Sequence, residues 1–158
     1  MKRHPIKLSA GIITATSLLA SGGSAADYTV QRTLQLASSA TDVWHVVGDF
    51  CDIDDWHPEI NACSVKVIDG KLHRVLAGTD GTETVERRIA VEAGLSYTYK
   101  MEATSLPVDT YTATFSIEHL NGSLISWSVR FTSDDPAAEG AVTRMIEIGL
   151  KAIDAALD

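Results

Sequence analysis

Arg74 and Glu86 are the sharpest chemical pair in the sequence. They stand in two strand-like stretches on either side of an Asp80-Gly81 turn signal. Strand parity can place Arg74 with Leu76, and Glu86 with Arg88, on one sheet face. A charge turned into a protein interior is costly unless paired, so the two predict an ion pair across neighbouring strands. Such a pair could anchor a ligand carboxylate or carbonyl. A surface pair satisfies the pattern equally well. His57, in Trp56-His57-Pro58, could act as a general acid or base near neutral pH, and Glu86 is the second candidate for moving a proton. The sequence gives His57 no orienting partner beyond Asp54, Asp55 and Glu59, so an exposed or merely hydrogen-bonded histidine is the plainer reading. Tyr97, Tyr99, Tyr111 and Trp127 lie on alternating positions. Turned inward, such side chains offer apolar area and one hydrogen bond each, which suits a small-ligand pocket. Ordinary core with satisfied hydroxyls is the competing reading.

Other chemistries find less support. Asp52, Asp54, Asp55, His57 and Glu59 form an oxygen-rich loop, but the glycine a calcium loop needs at its sixth position is His57 here. A solvated acidic loop fits better, and neither metal nor cofactor is expected. No H-E-x-x-H, G-x-S-x-G, G-x-G-x-x-G or G-x-x-x-x-G-K-[ST] string occurs, so zinc-protease, α/β-hydrolase, dinucleotide and nucleotide-phosphate readings lose their main support. Asn121-Gly122-Ser123 matches a glycosylation triplet, but a tight hairpin turn explains it. Cys51 and Cys63 form no C-x-x-C pair. They would bridge in an oxidising compartment; two free core thiols are the alternative.

The elements that must position these residues can be read from periodicity. Tyr28, Val30, Leu34 and Leu36 alternate with polar residues, a half-buried strand. Ser39 before Asp42 marks a helix start, and a short helix should span about Ala40 to Gly48. From Ser64 to Thr132 five or six antiparallel strands are expected, turned at Asp69-Gly70, Asp80-Gly81, Ala93-Gly94 and Asn121-Gly122. Pro136 opens a long amphipathic helix, whose apolar face includes Val142, Ile146, Gly149, Leu150 and Ile153. The layout is α+β, a curved antiparallel sheet around one closing helix.

The N-terminus reads as an address. Lys2, Arg3 and Lys7 precede an uncharged stretch from Leu8 to Ala20, then the small residues Ser21 to Ala26. This is the plan of a cleaved signal peptide, residues 1–26, directing the protein to the periplasm or outside the cell. The stretch is too broken by Ser, Thr and Gly for a membrane span. The whole chain has 158 residues and a net charge of −8. Removing residues 1–26 takes three of 13 basic residues and none of 21 acidic ones, leaving a net charge of −11. Such a surface repels nucleic acid and anionic headgroups, so neither is an expected partner.

Several stretches together resemble the polyketide cyclase/dehydrase-like branch of the START-like (Bet v 1-like, SRPBCC) superfamily. They are Val43-Trp44-His45-Val46-Val47-Gly48-Asp49-Phe50 with Asp55-Trp56-His57-Pro58, Arg74 before Asp80-Gly81, Glu86, and Tyr97-x-Tyr99. Leu106-Pro107-Val108 leading to Tyr111, Trp127, and Gly149-Leu150 in the closing helix complete the set. The resemblance covers residues 27–158 and implies a helix-grip fold, seven antiparallel strands around a long C-terminal helix with two short helices after the first strand. It also implies a cavity for an apolar or amphipathic molecule, lipid- or polyketide-like. Trp56, His57, Arg74, Glu86, Tyr97, Tyr99, Tyr111 and Trp127 are then the expected ligand contacts. Three functions follow: a binding protein, a cyclase or dehydratase using His57 or Glu86, or an accessory protein that docks onto an exported dehydrogenase.

Overall fold

The computed structural model describes residues 24–158. Most of the expected signal peptide lies outside them. The elements run β1 (Ala26–Leu36), α1 (Ala40–Val47), α2 (Ile53–Trp56), β2 (Ile60–Ile68), β3 (Lys71–Gly78), β4 (Glu83–Glu92), β5 (Ser96–Ala103), β6 (Thr110–His119), β7 (Ser123–Ser133) and α3 (Ala138–Leu157). The strands form one antiparallel sheet in the order β1-β7-β6-β5-β4-β3-β2. Only the step from β1 to β2 leaves the meander. There α1 and α2 carry the chain from one sheet edge to the other, closing one end of the concave face. This is the helix-grip arrangement expected from the sequence.

Local chemistry fixes the pieces. Ser39 and Asp42 form a reciprocal capping box at the start of α1, satisfying two otherwise orphaned N–H groups. Asp69 and Gly70 both adopt left-handed backbone, as do Asn121 and Gly122, which suits two-residue hairpins. Two boundaries differ from expectation. β2 begins at Ile60 rather than near Ser64, with an irregularity between Ile60 and Ala62; the run Asn61-Ala62-Cys63-Ser64 has no alternation to betray it. α3 begins at Ala138, because Pro136 belongs to the preceding turn, where the Asp135 carboxylate accepts from the Ala137 N–H.

The core lies between the concave sheet face and α3. Phe115, Ile125, Trp127 and Val129 meet Val142, Ile146 and Ile153, all essentially buried. Arg32 interrupts the inward face of β1 because it reaches Glu147 on α3 at 2.8 Å. Gly149 is needed where α3 crosses β7. A Cβ there would stand 2.7 Å from the Trp127 ring and 3.0 Å from His57.

Candidate ligand cavity

The sheet and α3 separate near the β3–β4 and β5–β6 connections. A cavity of about 290 Å³ opens there, at the lower edge of the ~300–1,000 Å³ usual for small-molecule sites. Its apolar wall comes from Ile53 of α2, Leu76 of β3, Met101 of β5, Leu106 of the following loop, Trp127 of β7 and Met145 of α3. Glu86, Tyr99 and His57 supply polar groups to the same wall.

The ion pair exists and is buried. Arg74 and Glu86 are register partners on β3 and β4. Arg74 Nε donates to Glu86 Oε2 at 2.6 Å, with the side chains 1% and 4% exposed. Arg74 Nη1 donates to the Phe50 carbonyl, and the guanidinium lies 4.2 Å from the Phe50 ring centroid and 5.1 Å from that of Tyr99. Burial alone would lower the Arg74 pKa. The Glu86 carboxylate and the Tyr97 and Tyr99 hydroxyls outweigh it and hold the group above its ordinary value. Nη2 has no hydrogen-bond partner among the described residues.

The aromatic residues turn inward as a stacked set. Tyr97 stacks on Phe115 with centroids 5.5 Å apart, and Phe115 meets Trp127 edge-on at 5.6 Å. Trp127 Nε1 donates to the Tyr99 hydroxyl at 3.1 Å. Burial pushes Tyr97 up to about 12 and raises Tyr99 and Tyr111 as well. All three phenols therefore keep their protons at neutral pH.

His57 is 3% exposed, so the exposed-loop reading does not hold. Its Nδ1 accepts from the Glu59 N–H at 3.3 Å, while a ring hydrogen bond to the backbone of Met145 favours the charged form. Burial dominates and lowers the pKa, leaving the ring neutral. At the cavity mouth Arg144 of α3 reaches Glu59 at 2.9 Å. Cys51 and Cys63 form a disulfide with Cα atoms 5.5 Å apart. It ties the segment after α1, including Phe50 and its bond to Arg74, to edge strand β2.

The acidic loop is structural in part, since Asp54 accepts from the Cys63 N–H at 2.8 Å. Among the described residues, no group of three or more His, Cys, Asp or Glu side chains is placed to hold a metal ion.

The family model for polyketide cyclase / dehydrase and lipid transport matches residues 27–158. The chain belongs to this family. An uncharacterized protein from Bacillus thuringiensis is similar at 30% identity and a TM-score of 0.72, covering 84% of this chain and 98% of that one. The protein XoxI from Bacillus cereus is 29% identical with a TM-score of 0.70, covering 84% and 95%. The Zhui aromatase/cyclase from a Streptomyces species shares the fold at 16% identity and a TM-score of 0.67, over 84% and 94%. No curated protein matches the sequence. The START-like resemblance and the fold it implied therefore stand.

The sequence-derived contacts divide into two layers in this family member. His57, Glu86, Tyr99 and Trp127 line the cavity, whereas Trp56, Arg74, Tyr97 and Tyr111 are buried outside its lining. The lining residues not expected beforehand as ligand contacts include Leu76, Met101, Leu106, Met145 and Arg144. Met101 continues the Tyr97-Tyr99 alternation and was findable by parity. Arg144 lies on the polar flank of α3, where the sequence offers nothing to distinguish it from a solvated charge.

Proposed function

We propose that this polyketide cyclase / dehydrase and lipid transport family member is an exported protein that binds an apolar or amphipathic small molecule between its sheet and α3. The cavity carries the reading. Its apolar wall with a few convergent polar groups is what a small-molecule site requires. The N-terminal pattern of residues 1–26 and the Cys51–Cys63 bridge support export, since disulfides persist in oxidising compartments.

A cyclase or dehydratase is the second reading, favoured by Glu86 on the cavity wall. It is the weaker one. The neutral His57 ring already has partners at Glu59 and Met145, and a general acid or base needs a nitrogen free to meet substrate. Native mass spectrometry of the protein isolated without detergent from the cells that produce it tests binding. A small-molecule adduct, released unchanged on denaturation, is the expected result. A bare mass in every preparation, with no uptake of added lipophilic molecules, contradicts the proposal. Recovery of an altered molecule favours the enzyme.

A further inference from the structure

Exposed apolar surface gathers in one place, away from the cavity. Among the described residues six large hydrophobic side chains are exposed, and five of them, Val65, Val67, Ile68, Ile89 and Val91, stand at 47–69% exposure on β2 and β4. They surround the tip of the β2–β3 hairpin, because His73 pairs with Arg87 and β4 therefore runs out past the start of β3 at Ile89 and Val91. Val65 and Val67 pair with Arg74 and Leu72, and Val91 with Tyr97, which sets these three on the concave face. Ile68 pairs with Lys71 on the opposite face. The tip is thus apolar on both sides. The other edge strand, β1, exposes Thr29, Gln31, Thr33 and Gln35 instead. A contiguous apolar cluster left in water marks an interaction site.

The net charge of −11 left after removal of residues 1–26 conceals a local reversal. Lys66, Lys71 and Arg88 flank the cluster, and none has a salt-bridge partner among the described residues. Asp69 in the turn and Glu92 at the end of β4 are the acidic residues beside them. The acidic loop is held further back, where Asp54 accepts from the Cys63 N–H at 2.8 Å. Cys63 lies about 13 Å of strand from Val67, beyond the screening length of ~8 Å at physiological ionic strength. A flat protein surface covers one side of such a tip and leaves the other wet, whereas a bilayer surrounds both. Lysine stems lie along apolar surface while their charged heads stay among the headgroups. The free edge sets the depth. Cys63 turns its N–H away from β3, and by alternation Val65 and Val67 turn theirs outward too. Those groups need water or headgroup oxygens, which keeps the tip out of the hydrocarbon.

We infer that the tip of the β2–β3 hairpin is a membrane-docking site that seats its aliphatic cluster at headgroup depth in a bilayer containing anionic lipid. This revises the expectation drawn from net charge, which counts charges without their places. Gly78, at the other end of β3, lines the cavity, so a docked protein keeps that opening clear of the bilayer. The inference does not rest on what the cavity holds.

Flotation of the mature protein, its N-terminus checked by mass, with vesicles of phosphatidylcholine containing about 30% phosphatidylglycerol tests this. The wild-type protein should float with these vesicles, and severalfold less with phosphatidylcholine alone. Lys66→Gln combined with Lys71→Gln should weaken binding by roughly 25-fold, about fivefold for each basic residue near an anionic surface. Val67→Asp should abolish it. Leu120→Asp, at the sixth exposed hydrophobic residue and away from the tip, should bind as the wild type does. All these side chains are exposed, so the thermal midpoint of each variant should match that of the wild type. Absence of wild-type protein from the floated vesicles, or flotation unchanged by Val67→Asp, overturns the inference. A wild-type dimer in sedimentation velocity that Val67→Asp converts to monomer overturns it as well, since a second copy then covers the tip. Any of these results leaves the cavity's function standing.

Discussion

At Arg74 the protein buries a full charge with a single carboxylate to balance it. Removing one partner of such a pair leaves an uncompensated buried charge. Glu86→Gln should therefore destabilise by about 3–5 kcal/mol. Replacing Arg74 and Glu86 together by Met and Leu should cost much less, since a buried pair is often matched by apolar residues of similar volume. Urea denaturation of the single and double variants measures both. His57 gives a second expectation. Its folded pKa lies below the ordinary 6.5, so the unfolded chain takes the proton more readily. This contribution to stability is intact above pH 6.5 and is lost as pH falls from there toward the folded value. The thermal midpoint should drop between pH 7.5 and 5.5, and His57→Gln should drop less. An identical pH profile for the two proteins would show that His57 is not the group responsible.

Apart from the first half of β2, the strands and α3 were legible because they repeat a simple period. Tyr97, Tyr99 and Met101 alternate inward on β5, and Val142, Ile146, Gly149 and Ile153 follow the helical spacing on α3. The register that joins Arg74 to Glu86 follows from that alternation and the Asp80-Gly81 turn. The cavity was less legible, because its size depends on how far loops and helix stand from the sheet. Nothing in the spacing of Thr104, Ser105 and Leu106 says that this connection forms a cavity wall. Nor does it say that His57 tucks beneath α3, which depends on the missing Cβ of Gly149 some ninety residues later. The disulfide is the element-scale device that holds the short-helix segment to β2. Closing its 12-residue separation should stabilise by about 3 kcal/mol on the chain-entropy model. Denaturation with and without reductant reads that value. Reduction should also loosen Phe50, and with it the carbonyl that Arg74 holds.

Across the whole molecule, a sheet that could have closed fully on its helix leaves a gap at one end. The other end packs Phe115, Ile125 and Ile146 with essentially no exposure. Family membership accounts for the fold, which aromatase/cyclase relatives share at low identity. It does not choose between binding and catalysis, because one fold hosts many functions. The choice rests on the gap itself. The most direct test is a fluorescence titration of N-phenyl-1-naphthylamine against the wild-type protein and Met101→Trp, which fills the cavity from the β5 side. Wild-type protein should give saturable, one-to-one, blue-shifted emission, and the variant should lose it while keeping its thermal midpoint within a few degrees. Equal dye binding by both proteins, or none by the wild type, would contradict the claim that this cavity is a binding site.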